Sequence, residues 1–389
     1  MMKKSLRTLG GLVAVAGMLA LAGCSDAGEP ATEPEAPAAE LSAEAQAAYD
    51  IVSAHTGAVD EFVAPGPAVD AAALEGKTVY FLPVTLQVPL LKTIADNLAD
   101  ALENVGADLQ ICDGKGNPSD AASCITQAID ADAAAVVTAG LTKEYAPAAF
   151  ESLIAAGIPW VQGITSASGD EDPSQVAYVT SDSVKLQSWA TNWVIADSDA
   201  KANVLVIKLT DTPATTAWAD FGILGVYEKG CTECTTEVIE INTGQVDRLP
   251  SLVSSALVAN PDITYVQAQF DQFLPSVKQA IQSAARDDVT VVSVDGLLST
   301  LQDIEGGSPI EAGIGYNKTA LAWYMADAVV RLTAGEAAVE NLDFPFRRVF
   351  TTGNVGELTL DADAEASGAW FGEADYRSGF LELWGVDAP

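Results

Sequence analysis

The chain has 389 residues, 49% of them hydrophobic, and a formal net charge of -35 from 54 acidic and 19 basic side chains. The apolar content is ample for buried cores in about two domains, and a field of that sign repels nucleic acid, so no nucleic-acid partner is expected. The one histidine, His55, lies in the N-terminal tail, which excludes a Ser-His-Asp or Cys-His arrangement and a histidine-based zinc site from the body of the chain.

Lys3, Lys4 and Arg7 precede an apolar stretch over 9–21. This is the pattern of a signal peptide over 1–23, too short for a spanning helix of roughly 20 apolar residues. Leu21-Ala22-Gly23-Cys24 resembles a bacterial lipobox, which implies cleavage before Cys24 and lipidation of its thiol. The protein is then expected outside the cytoplasm, held to the cell membrane by its acyl chains. Residues 24–73 begin with a Pro/Ala/Glu-rich linker with little to bury. Leu41, Ala45, Tyr49, Val52 and Val59 then predict one helix within 41–63, stopped by Pro65-Gly66-Pro67. That helix either packs on the body or only spaces it from the membrane.

From residue 77 the pattern alternates. Strands are predicted over 78–82, 109–112, 134–138, 159–162 and 176–180, with helices over 96–104, 119–129, 145–156 and 185–195. A second set follows: strands over 203–208, 237–241, 265–269, 289–294 and 312–316, with helices over 218–227, 248–259, 275–285 and 319–334. Strand–helix alternation implies right-handed βαβ units on parallel sheets, so the fold class is α/β with two lobes. Ligands of such sheets sit beyond the carboxyl ends of the strands, and two facing lobes make a cleft there. The tail from Phe344, with Trp370, Phe371, Tyr376, Phe380 and Trp384, reads as ordered short strands.

Several segments in this order resemble the type I periplasmic binding proteins, the ribose- and galactose-binding group. They are Phe81 to Leu91, Gly106-Ala107-Asp108-Leu109, Ile129 to Val137, Ala155-Ala156-Gly157-Ile158-Pro159-Trp160-Val161, Phe270-Asp271, Val292-Ser293-Val294-Asp295-Gly296, and Gly335 after a long helix. The resemblance covers about 76–335. It implies two Rossmann-like lobes joined by a three-crossing hinge, with crossings near 180–183, near 316–317 and after 335. The first lobe would be 74–182 plus 317–335, the second 183–316, with 336–389 completing them. With the lipobox, the chain looks like the solute-binding lipoprotein of an ABC importer: a monomer that needs no cofactor, closes on a small molecule and presents it to the permease.

The same resemblance places a pocket at Gln87, Leu90, Leu91, Gln162, Trp218, Phe270, Asp271, Asp295 and Tyr316. The pattern departs from the sugar binders at several of these. Val88-Pro89-Leu90-Leu91 replaces Asn-Pro-Phe-Phe, Gln162-Gly163 stands where Asp-Arg is common, Trp218 lies where an Arg is usual, and Tyr316 replaces a Gln. Trp218, Phe270 and Tyr316 suit a flat or apolar face, and with Asp271 and Asp295 they suit a cation as well. A modified sugar, a nucleoside-like molecule and an aromatic compound all stay open.

Four cysteines remain besides Cys24. Cys112 ends a predicted strand and Cys124 lies in the next helix, whereas Cys231 and Cys234 share one turn, so the expected disulfides are 112–124 and 231–234. The two pairs fall in different lobes, which disfavours a four-cysteine zinc site, and no metal is expected. Cys231-Thr-Glu-Cys234 precedes a strand, not a helix N-terminus, which disfavours a redox enzyme. Gly114-Lys115-Gly116 lacks phosphate-loop spacing. A ligand sensor that signals to a receptor or kinase is the main alternative to transport, and a thiol-disulfide enzyme a weaker one.

Overall fold

The computed structural model describes residues 41–165, 171–339 and 342–386; the predicted signal, Cys24 and the linker lie outside these. Helix α1 (Ala43–Ser53) opens the described chain, capped by the Ser42 hydroxyl. Strand and helix then alternate: β1 (Thr78–Pro83), α2 (Pro89–Glu103), β2 (Asp108–Ile111), α3 (Pro118–Asp130), β3 (Ala135–Ala139), α4 (Pro147–Ala155), β4 (Trp160–Ile164) and β5 (Val176–Thr180). The second run is α5 (Ser183–Asp197), β6 (Asn203–Leu209), α6 (Pro213–Ala219), α7 (Gly225–Gly230), β7 (Thr235–Ile241), α8 (Leu249–Ala259), β8 (Tyr265–Ala268), α9 (Leu274–Ala284), β9 (Thr290–Asp295), α10 (Leu298–Glu305) and β10 (Ile310–Tyr316). It ends with α11 (Lys318–Thr333), β11 (Arg347–Thr351), α12 (Ala362–Ser367) and α13 (Tyr376–Leu383).

Proline stands in the first two positions of α2, α3, α4, α6, α8 and α9. There its missing N–H costs no intrahelical bond and its fixed φ suits the first turn. These prolines start helices just past strand ends, so they set where the loops of the cleft stop.

The first sheet is all parallel in the order β2-β1-β3-β4-β5. The second runs β11-β10-β9-β8-β6-β7 and is parallel except for β11, which pairs antiparallel with β10. Two Rossmann-like lobes result. Helix α11 follows a second-sheet strand yet packs on α2, β3, β4 and β5 of the first lobe. Its sequence, KTALAWYMADAVVRLT, is apolar on all sides, and it is buried from Lys318 to Leu332.

The chain passes between lobes at β5–α5, at β10–α11 and between α11 and β11. Two further passages involve the chain ends. Helix α1 lies on α5 of the second lobe, and the chain after it runs to the first lobe, where the Tyr324 hydroxyl donates to the Val63 carbonyl and Arg331 Nη2 to the Pro67 carbonyl at 2.7 Å. In the opposite direction, Phe371 packs on Phe350 of β11, whereas Phe380 and Trp384 of α13 pack on Trp323 of α11. The two passages are bonded to each other where Val59 N–H donates to the Phe371 carbonyl at 2.7 Å.

These ends differ from the sequence reading. The helix expected within 41–63 is only α1; beyond it the chain extends because its backbone pairs with residues 349 and 371. The tail holds one strand and two helices, not a series of short strands. Of its aromatic residues, Tyr376, Phe380 and Trp384 serve as contacts for α11, whereas Phe371 packs on β11.

Both cysteine pairs are bonded in the structure, Cys112 to Cys124 and Cys231 to Cys234. Among the described residues no helix is long and apolar enough to cross a membrane, and no cluster of His, Cys, Asp and Glu could hold a metal.

Candidate ligand site between the lobes

A cavity of about 380 Å³ lies between the carboxyl ends of the two sheets. From the first lobe it is lined by the β1–α2 segment (Gln87, Val88, Leu90, Leu91), by Lys115 and Tyr145 after β2 and β3, and by Ile164 at the end of β4. From the second lobe come Asp211, Thr212 and Trp218 around the start of α6, Thr243 after β7, Phe270 and Gln272 after β8, Asp295 ending β9 and Tyr316 ending β10. Helix α5 adds Ser183 and Leu186 where the chain enters the second lobe.

Helix α2 begins at Pro89, about two turns before the expected start, so Leu90 and Leu91 sit in its first turn rather than in a loop. Trp218 falls in the last turn of α6 because Thr212 and Pro213 start that helix early. The Thr212 hydroxyl accepts the Thr215 N–H at 3.1 Å, and the Thr215 hydroxyl accepts the Thr212 N–H at 3.2 Å, a reciprocal cap. Trp218 and Phe270 meet edge to face with centroids 6.1 Å apart, and together they form an aromatic wall. Gln269, fully buried behind it, ties that wall together. Its side-chain oxygen accepts the Leu209 N–H at 2.7 Å and its amide donates to the Thr215 carbonyl at 2.7 Å.

Two predicted pocket residues do not line the cavity. Strand β4 runs two residues past its expected end, so Gln162 is fully buried within the sheet and Ile164 takes the end position. Asp271 turns under the floor. Its carboxylate accepts from the Ser293 hydroxyl, from the Leu297 N–H at 2.8 Å and from the Thr300 hydroxyl at 2.7 Å. It thereby fixes the turn after β9 rather than facing solute or capping a helix. The other seven, Gln87, Leu90, Leu91, Trp218, Phe270, Asp295 and Tyr316, come together around the cavity.

The floor is a buried charged cluster. Asp295 has φ +137°, a region that L residues rarely adopt, and Gly296 follows with φ +63°. A Cβ on Gly296 would lie 2.8 Å from the Gly315 Cα, so the turn fits only glycine. Lys318 Nζ donates to the Asp295 carbonyl at 2.5 Å and sits 5.5 Å from the Tyr316 ring centroid. Burial raises the Asp295 carboxyl well above the usual range, and the neighbouring Asp271 adds to it. Burial also raises Asp271 and lowers Lys318, so the cluster leans toward its neutral forms. Across the cleft, burial and then the Asp211 charge raise the Tyr145 phenol, which puts a first-lobe hydroxyl in the field of a second-lobe carboxylate.

Sequence reasoning missed Tyr145, Leu186 and Gln272 as lining residues. Asp211-Thr212-Pro213 carried a helix-start signal that places it at a strand end, but the other three have no local signature.

The model of the periplasmic binding protein domain matches residues 79–337. The chain belongs to that family. Its two parallel-sheet lobes are those of the type I fold. The ribose import binding protein of Escherichia coli (strain K12) is 23% identical over 236 residues, which span 60% of this chain and 77% of that protein. A 5-methylthioribose transporter solute binding protein from Thermotoga lettingae TMO, solved with 5-methylthioribose, superposes with a TM-score of 0.67 at 16% identity over 81% of this chain and 98% of that one. A Caulobacter myo-inositol binding protein bound to myo-inositol gives 0.64 at 20% identity over 76% of this chain and 98% of its own. At those identities the structural likeness establishes the fold of this binding protein.

Proposed function

We propose that the binding protein is an extracytoplasmic receptor, lipidated at Cys24, that captures a small sugar-like or aromatic molecule between its lobes and delivers it to the permease of an ABC importer. The observation that carries this reading is the cavity of about 380 Å³ lined from both lobes. A molecule seated there touches both lobes at once, and only such a molecule favours their closure. The ligands named for the solved relatives support a sugar-like solute. The protein acts as a monomer, since one chain supplies both walls, and it uses no cofactor and no metal. The disulfides suit an oxidising compartment.

The test is a thermal-shift screen of the chain from residue 41 onward against sugars, polyols, nucleosides and aromatic acids. A solute at about 100 times its Kd stabilises the folded state by roughly 2.7 kcal/mol, a shift of several degrees. The hit should weaken at least about tenfold in Asp295→Ala, since that change removes a buried hydrogen-bonding group from the floor. Silence across the whole panel contradicts the reading. A hit unaffected by Asp295→Ala relocates the site.

A further inference from the structure

The polar groups of the cavity are unevenly placed. Those with charge or an exposed amide, Gln87, Lys115 and Asp211, stand at the exposed mouth. The buried interior is mostly aliphatic and aromatic, with Leu91, Ile164, Leu186, Leu209 and Val294 facing the Trp218–Phe270 wall. The few hydroxyls deep within are already engaged. Ser183 Oγ pairs with Ser181 Oγ at 3.3 Å, and the Thr212 and Thr215 hydroxyls close the cap of α6. The Tyr145 hydroxyl and the Gln272 amide are half-buried, and what the fully buried interior still offers is the Asp295 carboxyl, which accepts the Asp271 N–H and keeps further acceptor capacity, and the Tyr316 hydroxyl. They end the adjacent strands β9 and β10, so both stand on one side.

A plain hexose or polyol presents hydroxyls all around. Seated here, it would pair those on the Asp295–Tyr316 side and at the mouth and leave the rest against carbon, where each unpaired group loses affinity. Resting on the reading of this cavity as the solute site, we infer that the solute is a sugar bearing an apolar substituent, which lies between the α2 leucines and the Trp218–Phe270 wall while the sugar's hydroxyls meet Asp295, Tyr316 and the mouth. The departure from Asn-Pro-Phe-Phe to Val88-Pro89-Leu90-Leu91 is the same fact in sequence form: polar and sugar-stacking positions have become aliphatic.

The experiment is calorimetric titration of matched pairs that differ by one substituent: D-ribose and its 5-methylthio derivative, D-galactose and its 6-deoxy derivative, D-glucose and its phenyl β-glycoside. The substituted member should bind more tightly in each pair that binds, by about tenfold for a methylthio or larger group. In Leu90→Ala that ratio should fall toward one, a readout that a general loss of folding would not move because it affects both members equally. If plain sugars bind as tightly as their substituted partners, the inference is overturned and the transport reading stands. If no member of any pair binds, both fall.

Discussion

Gln269 allows a stability prediction that also tests how the aromatic wall is built. Replacing it by methionine keeps the length and apolar volume of the side chain but removes its donor and acceptor. The Leu209 N–H then loses its partner, and the Thr215 carbonyl, inside α6, loses its bond from the Gln269 amide, both at 2.7 Å. Gln269 is fully buried, so water cannot readily replace it. An orphaned buried backbone group costs about 1–3 kcal/mol, which puts Gln269→Met at about 2–4 kcal/mol after partial relaxation. For a chain of this size that is a fall of roughly 3–5 °C in melting temperature. Urea unfolding should show a lower midpoint at unchanged slope. Gln282→Met, on the exposed face of α9, is the control and should stay within about 0.5 kcal/mol. An unchanged midpoint in Gln269→Met would refute the claim that this side chain joins β6, α6 and β8.

Gly379 lies inside α13, where Gly→Ala ordinarily stabilises a helix by about 1 kcal/mol. Here a Cβ would lie 2.3 Å from the Phe62 ring, so Gly379→Ala should destabilise, and the sign should reverse when Phe62→Ala is already present; a stabilising effect in both backgrounds, measured by thermal unfolding, would show that residues 59–62 do not dock on α13. The Asp295 carboxyl titrates higher when folded than when unfolded, because of burial and then Asp271, so its stabilising contribution is full below the unfolded carboxyl range and is lost as pH rises through the raised value. Asp295→Asn should therefore gain on the wild type as pH rises from 4 to 9 in about unit steps, and a gap in melting temperature that stays constant would contradict the shift. Loop length ranks the disulfides: removing Cys112–Cys124, 12 residues apart, should cost about 3 kcal/mol, and removing Cys231–Cys234, 3 apart, about 2 kcal/mol, so the reverse order in paired Cys→Ser variants would point to strain or residual structure instead.

The two-lobed architecture was legible because its signals are local. Apolar runs such as Ala135–Ala139 and Asn203–Leu209 read as buried parallel strands, whereas the start of α6 at Pro213 was placed five residues late, at 218. Strand ends point at the cleft, which is why seven of the nine expected residues line it. The two misplaced ones show the limit of that argument. Gln162 was misjudged by the length of β4, and Asp271 by a turn whose direction depends on Ser293 and Thr300, far along the chain. The N-terminal crossing was not legible at all. Val59 and Phe62 extend across the lobe boundary because Phe371, Gly372 and Gly379 leave room for them, and no local pattern reports a partner some 300 residues away.

The central claim is that one small molecule is held by both lobes at once. Calorimetric titration of the bound solute against Leu91→Ala, on the first lobe, and Phe270→Ala, on the second, tests it most directly. Each substitution removes apolar contact worth roughly 1.5–3 kcal/mol, so each should weaken binding about tenfold or more. Binding that is weakened by one substitution and untouched by the other would mean that the solute rests on a single lobe, and the closure account would be wrong.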